Sequence, residues 1–128
     1  MTDTQLSLDI SRVCEALSAV RTSAVPGEYD IHGQIAAALG AAGLAFEHER
    51  RLAPRCRIDF CVGRVGIEVK KGRPVASELA NQLRRYMASA ALDAVVVVTQ
   101  RAVPLPATIL GKPVRGVSLN RLWGVALP

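Results

Sequence analysis

Residues 57–70 read R-I-D-F-C-V-G-R-V-G-I-E-V-K and contain two short runs in which polar and apolar residues alternate. The first run covers residues 57–62, the second covers residues 67–70, and a Gly-Arg-Val-Gly connection joins them. Alternation with a period of two is typical of half-buried strands, and a short glycine-containing connection is typical of a hairpin. The sequence therefore predicts a β-hairpin here.

The two faces of this hairpin are predicted to differ in polarity. The four-residue connection favours a register in which Val62 pairs with Ile67, and side chains alternate between faces along each strand. One face is apolar and suited to a core. It carries Ile58, Phe60, Val62, Ile67 and Val69. The other face carries Asp59, Cys61, Glu68 and Lys70.

In that register Cys61 faces Glu68 and Asp59 faces Lys70. The two carboxylates are then diagonal neighbours, roughly 7–8 Å apart at the backbone. Like charges this close raise each other's pKa unless a cation lies between them. A hard divalent ion such as Mg²⁺, which takes oxygen ligands and keeps several waters, meets that need.

Composition places the chain among single globular domains with a core built from aliphatic residues. Half of the 128 residues are hydrophobic and only 4% are aromatic. The formal charge of +5 is concentrated in residues 49–73, which hold eight Lys/Arg and three acidic residues. Such a basic segment indicates a polyanion partner, with a solvated cationic surface as the alternative.

The cellular setting is expected to be the cytoplasm. Three scattered cysteines without CxxC spacing indicate a reducing compartment and no zinc site. The longest apolar run, around residues 94–98, is far shorter than the ~20 residues of a membrane span. No secretory signal pattern opens the chain, and no membrane association is expected.

Helical periodicity and strand patterns alternate along the chain. Helices are predicted over residues 5–22, 28–42 and 77–90, the last with Ser77 as N-cap. Strands are predicted over residues 45–52, 57–62, 67–70 and 93–99, with weaker strand patterns at 114–119 and 122–127. The valine run at residues 95–98 is typical of a strand buried on both faces.

This order predicts an α/β fold with a mixed β-sheet flanked by helices on both faces. We expect one domain over residues 1–128. Its parts are an appended N-terminal helix (1–25), a core (28–99) and a β-rich tail (100–128).

Side chains from two helices are predicted to approach the polar face of the hairpin. Glu28 lies three residues before Ile31 and seven before Ile35, which puts it on the apolar stripe of its helix near the N-terminus. In the third helix Gln82 and Tyr86 lie one turn apart along the edge of an inward face. That face comprises Leu79, Leu83, Tyr86, Met87 and Ala90.

This pattern resembles the PD-(D/E)xK nuclease superfamily. The resemblance rests on a helical Glu28, Asp59 on one strand and Glu68-Val69-Lys70 on the next, in an α-β-β-β-α-β order. Residues 82–86, Q-L-R-R-Y, are similar to the Q-x-x-x-Y element of RecB-type members. The match covers residues 28–99. Ile58 stands where the first signature element has proline.

The resemblance implies a restriction-endonuclease-like core and a site for Mg²⁺ or Mn²⁺. The implied metal ligands are Asp59, Glu68, the backbone carbonyl of Val69 and, in support, Glu28. Lys70 would orient the attacking water or stabilise charge on the scissile phosphate. Gln82 and Tyr86 would position the site or the nucleic-acid backbone.

The implied activity is metal-dependent hydrolysis of DNA phosphodiester bonds, by a homodimer or by a subunit that other DNA-processing proteins recruit. The preference for DNA over RNA comes from the resemblance alone. Alternatives are a structure-specific resolvase of the Holliday-junction type and a catalytically silent nucleic-acid-binding or scaffold protein of the same fold. A plain α/β interaction domain with solvated charges is a further alternative.

Other polar residues near the predicted site are expected to be structural. His32 and His48 have no ligand partner at a useful spacing and are predicted to be surface or satisfied residues. Glu47 and Glu49 share one face of the first strand and are possible supplements to the site.

Overall fold

A mixed sheet with helices on both faces dominates the computed structural model, which describes residues 3–20 and 28–119, the side chains of Asp3 and of residues 28–30 excepted. The helices are α1 (Asp3–Ser18), α2 (Glu28–Ala41) and α3 (Ala76–Met87). The strands are β1 (Glu47–Ala53), β2 (Cys56–Val62), β3 (Val65–Lys70), β4 (Ala94–Thr99), β5 (Thr108–Ile109) and β6 (Lys112–Ser118). Across these two ranges no helix combines the length and apolarity needed to span a bilayer.

The strands lie in the order β1-β2-β3-β4-β6-β5. Neighbours β1, β2 and β3 pair antiparallel, whereas β3 pairs parallel with β4 and β4 with β6. The short β5 pairs antiparallel with β6 at the edge. This arrangement confirms the predicted α/β class and the mixed sheet flanked by helices.

Two apolar cores lie on opposite faces of the sheet. Helices α1 and α2 cover one face, where Val13, Leu17 and Ile35 are fully buried. Helix α3 covers the other face with Leu79, Leu83, Tyr86 and Met87. The apolar stripe of α1 therefore packs into the core of its own chain.

Strand β4 supplies both cores, as its valine run predicted. Val96 and Val98 pack on the α1/α2 side, Val95 and Val97 pack on the α3 side, and all four are fully buried. Strand β4 thereby anchors the neighbouring β3, which carries part of the candidate site.

The hairpin forms, but its predicted register was wrong by two residues. Val62 pairs with Val65, and Phe60 rather than Val62 pairs with Ile67. The connection is the two-residue turn Gly63-Arg64, with Gly63 at φ 57°, as the first position of a type II′ hairpin turn requires. Such tight turns match the twist of paired strands, so the strands extend to the turn.

This register also changes the partners of the polar residues. Cys61 faces Gly66, not Glu68. Lys70 makes its ion pair with Glu68, two residues before it on the same strand, and not with Asp59. Because a two-residue shift preserves the alternation, Glu68 keeps its predicted face of β3.

Alternation along β2 is interrupted at Asp59, which the sequence pattern did not show. Phe60 packs with α1 and α2, whereas Ile58 packs on the α3 side together with Cys61. Asp59 therefore lies where the strand changes the faces of its side chains. The assignment of Ile58 to the same face as Phe60 was wrong.

Element ends differ from the predictions in a few places. Helix α3 begins at Ala76 after Val75, and no side chain caps it, so Ser77 is not the N-cap. Ala90 lies beyond the end of α3 and is exposed. Strand β6 covers most of the predicted strand at 114–119. The predicted strand at 122–127 lies outside the described residues.

Gly66 is a position where the core leaves no room for a side chain. A Cβ there would lie 2.5 Å from Ile58 Cδ1 and 3.0 Å from Leu92 Cδ1, two fully buried side chains. We expect Gly66→Ala to lower the free energy of unfolding by about 1–3 kcal/mol through overpacking.

Gly33 in α2 is the matched control, because nothing lies within 4 Å of a Cβ built there. Gly33→Ala is expected to stabilise the protein by up to about 1 kcal/mol through helix propensity. Urea unfolding of both variants checks the pair, and equal effects would contradict the packing account.

Candidate functional site

The sheet forks at Asp59 and Glu68. Pairing of β2 with β3 ends at Phe60 and Ile67, while parallel pairing of β3 with β4 continues to Lys70. At the fork the Asp59 side chain takes the place of a backbone acceptor, because its Oδ2 accepts a hydrogen bond of 2.8 Å from the Val69 N–H. The Asp59 side chain is about a quarter exposed, so its carboxylate lies at the mouth of the fork.

Glu68 projects from β3 toward α3 and is a buried charged residue, with a side chain only 4% exposed. Its Oε2 accepts a hydrogen bond of 3.0 Å from the Tyr86 hydroxyl and lies 3.2 Å from Lys70 Nζ. Its Oε1 is buried and has no hydrogen-bond partner among the described residues. A buried carboxylate oxygen without a partner is energetically costly.

The environment of Glu68 disfavours its negative charge. Burial, and then the nearby charge of Asp59, raises the pKa of Glu68 from its ordinary value near 4.5 to about 7, despite opposing contributions from Lys70 and Tyr86. A bound cation would reverse this balance by supplying the positive charge that the carboxylate pair lacks.

Tyr86 connects α3 to the site. Its hydroxyl donates to Glu68, accepts a hydrogen bond of 2.9 Å from Gln82 Nε2, and lies 3.3 Å from the Arg57 carbonyl oxygen. Burial and the negative charge of Glu68 raise the pKa of Tyr86 above its ordinary value. Tyr86 therefore stays protonated and acts as a fixed donor, and Gln82 orients it.

Lys70 lies at the end of β3 with its side chain 29% exposed. Its ammonium group lies 3.2 Å from Glu68 Oε2, and the side chain remains partly accessible to solvent. This position lets the group donate hydrogen bonds both to the carboxylate and to a bound anion. The described geometry thus brings together five of the predicted site residues. They are Asp59, Glu68, Lys70, Gln82 and Tyr86.

The remaining predicted site residues lie at different places in the fold. Glu28 is the first residue of α2, but its side chain lies outside the described part of the chain. Val69 lies between Glu68 and Lys70 and contacts Asp59 through its N–H. Glu47 and Glu49 are exposed on β1 and pair with arginines. Their partners are Arg50 at 3.5 Å and Arg57 at 3.6 Å.

Two histidines that the sequence suggested were isolated in fact meet beside Asp59. His32 Nδ1 lies 3.1 Å from His48 Nε2, and His32 Nε2 lies 3.8 Å from Asp59 Oδ2. Sixteen residues separate the two histidines, so helical or strand spacing gives no sign of the contact. One feature of the sequence could have indicated the contact. His32 follows the buried Ile31 in α2 and therefore lies at the edge of the apolar stripe.

Comparison with protein-family models, with curated proteins and with solved structures found no match.

The fork offers carboxylate oxygens, the type of ligand that a hard cation prefers. Asp59 and Glu68 are the described residues that supply them. Within the described part of the chain, Asp59 and Glu68 each use one carboxylate oxygen and leave the other without a hydrogen bond. Among residues whose side chains are described, no group of three or more His, Cys, Asp or Glu is arranged to hold a metal ion. Mg²⁺ is commonly bound by one or two carboxylates and keeps several waters, so the carboxylate pair fits it.

Exposed basic residues lie on β1, near the ends of β2 and β3, and on α3. Six of them make no ion pair within residues 31–119. They are Arg51 and Arg55 near the β1–β2 turn, Lys71 and Arg73 after β3, and Arg84 and Arg85 on α3. Arg85 immediately precedes Tyr86, and Lys71 follows Lys70, so part of this surface borders the site. Unpaired cations of this kind suit a phosphate backbone.

Proposed function

We propose that the protein is a metal-dependent nuclease that hydrolyses phosphodiester bonds of DNA. The carboxylate pair at the fork carries the proposal, because Glu68 is buried, one of its oxygens has no partner among the described residues, and Lys70 lies beside it. The order α2-β1-β2-β3-α3-β4 and the mixed sheet support a restriction-endonuclease-like core. The choice of DNA over RNA follows from the family resemblance.

In this proposal Asp59, Glu68 and the carbonyl oxygen of Val69 would hold Mg²⁺ or Mn²⁺. When bound, the ion would lower the pKa of water and neutralise charge on the phosphate. Glu28 keeps its predicted supporting role. Tyr86 and Gln82 would hold Glu68 from the α3 side through its Oε2, and Oε1 would be the oxygen left for the ion.

Lys70 is proposed to act on the substrate directly. Its ammonium group would hold the attacking water or donate to a non-bridging phosphate oxygen, where negative charge grows in the transition state. Glu68 keeps this group in place through the 3.2 Å contact. The basic surface would bind the flanking phosphates and give salt-sensitive affinity.

A cleavage assay tests the proposal. Linear duplex, single-stranded, flapped and four-way DNA would be incubated with Mg²⁺, with Mn²⁺ or with EDTA. Cleavage is expected only with a divalent ion. Asp59→Asn is expected to reduce it to the level of the EDTA samples, because one of the two cation-holding carboxylates is lost.

Glu78→Gln is the matched control, since Glu78 is exposed in the first turn of α3 and its replacement changes the charge equally. This variant should cleave as the wild type does. Cleavage by the wild type in EDTA would contradict the metal requirement. Absence of cleavage on every substrate, with both ions, would contradict the proposed activity. Selective cleavage of the four-way substrate would assign the resolvase alternative.

A further inference from the structure

The two histidines beside Asp59 are outside the roles assigned so far. His32 lies on α2 with its side chain 18% exposed, and His48 lies on the edge strand β1. Both rings pack against Phe60, the residue next to Asp59. The ring centroids of His48 and Phe60 are 4.6 Å apart in a stacked arrangement, and those of His32 and Phe60 are 5.4 Å apart. Phe60 is fully buried, so it gives both imidazoles a fixed support.

The side chains of His48, His32 and Asp59 form a row of contacts, and the positions of the imidazole protons give this row a direction. A neutral imidazole has one N–H donor and one acceptor nitrogen, so the 3.1 Å contact between His32 Nδ1 and His48 Nε2 needs a proton on one of these two atoms. If His32 Nδ1 carried it, the lone pair of His32 Nε2 would face the Asp59 carboxylate. If His48 Nε2 carries it, the N–H of His32 is at Nε2 and faces that carboxylate. The negative charge of Asp59 selects the second arrangement.

The row of contacts ends at one particular oxygen of Asp59. Asp59 Oδ2 accepts a hydrogen bond from the Val69 N–H. It is also the oxygen nearest to His32, at 3.8 Å. The Val69 nitrogen, at 2.8 Å, and His32 Nε2, at 3.8 Å, both face Oδ2, whereas Oδ1 makes no hydrogen bond within the described residues. Partners of this kind orient metal-binding carboxylates in proteins.

We propose that His32 and His48 are positioning residues: His48 sets the tautomer of His32, and His32 holds Asp59 Oδ2 so that Oδ1 is presented to the cation. This inference rests on the proposed function, since it assumes that Asp59 binds a divalent ion. His32 acts through Asp59 and does not itself touch the ion.

Calorimetric titration of the full chain with Mg²⁺ and with Mn²⁺, without nucleic acid, tests the assignment. His32→Phe keeps a ring against Phe60 but has no donor. We expect it to weaken the binding of both ions by a similar factor, about 10–100-fold, with an unchanged melting temperature. His32→Gln places an amide donor near the position of Nε2 and should recover most of the affinity.

Two further variants test the role of His48 and provide a control. His48→Phe keeps the stacking on Phe60 but removes the donor to His32, and it should weaken both ions less than His32→Phe does. Gln34→Ala, two residues along α2 from His32, is the control. It should bind both ions as the wild type does.

The outcomes separate this assignment from the proposed function. Unchanged affinity in His32→Phe would overturn the assignment. Loss of Mn²⁺ binding with Mg²⁺ binding intact would also overturn it, because that selectivity identifies the imidazole as a ligand. A wild type that binds both ions but cleaves no nucleic acid would contradict the proposed activity alone, and the assignment would then be decided by the His32 variants. A wild type that binds neither ion would overturn both.

Discussion

Replacement of Glu68 by glutamine is expected to stabilise the metal-free protein above pH 7 and to abolish cleavage. Burial raises the pKa of Glu68 to about 7 in the folded protein, compared with an ordinary value near 4.5. Below pH 4.5 the residue is protonated in both states and has no unfavourable effect. As the pH rises from about 4.5 to about 7, the unfolded chain ionises while the folded protein still holds the proton. The free energy of unfolding of the wild type therefore falls over this range.

The size of this effect is on the order of 3 kcal/mol, from the difference between the two pKa values. Glutamine does not ionise, so this contribution should be absent from Glu68→Gln. Urea unfolding in EDTA at pH 4.5 and at pH 8 measures it, with Glu78→Gln as the control for loss of an exposed acid. Identical pH dependence in wild type and Glu68→Gln would contradict the raised pKa.

The same variant separates stability from activity. Glu68→Gln should fail to cleave DNA at any concentration of Mg²⁺ or Mn²⁺, because the amide does not replace an anionic ligand. Addition of Mn²⁺ at pH 8 should raise the melting temperature of the wild type and leave that of Glu68→Gln nearly unchanged. A more stable protein without activity is the expected signature of a functional buried charge.

Lys70→Met is expected to reduce the rate of cleavage on the order of 10²–10³-fold, because it removes a positive donor aimed at developing charge. Methionine retains much of the length and packing of lysine. Cation affinity should be maintained, since the lost group is positive and lies 3.2 Å from the Glu68 carboxylate. Single-turnover cleavage at saturating DNA, together with calorimetry of Mn²⁺ binding, measures both properties.

Lys71→Met is the matched control for Lys70→Met. Lys71 is the next residue, is exposed and makes no ion pair in the described part of the chain. Its replacement should weaken DNA binding slightly and lower the salt dependence, with little change in the rate at saturation. Cleavage at the wild-type rate by Lys70→Met would show that the amine has no catalytic role.

Local pattern predicted the elements of the fold well. The valine run of β4 indicated burial on both faces because a strand accessible to water on one side would alternate. The inward residues Leu79, Leu83 and Met87 followed from helical periodicity, and they pack on the sheet as expected. These features depend on the residues of a single element, so the sequence contains the information for them.

Features that depend on two elements could not be predicted in the same way. A Gly-Arg-Val-Gly connection is compatible with a two-residue or a four-residue loop, and the choice shifts the register by two positions. The change of face at Asp59 arises from contacts with β3 and α2. The meeting of His32 with His48 depends on how α2 lies across β1 and β2.

The fork at Asp59 has a consequence for the mechanics of the sheet. Between the start of β2 at Cys56 and Phe60, no backbone ladder joins β2 to β3, and the Asp59 side chain bridges the gap through the N–H of Val69. An ion shared by Asp59 and Glu68 would be a reversible crosslink between β2 and β3 where their backbone pairing is absent. Binding of the ion would then reduce the motion of β2 relative to β3 at the position where no backbone hydrogen bonds restrain it.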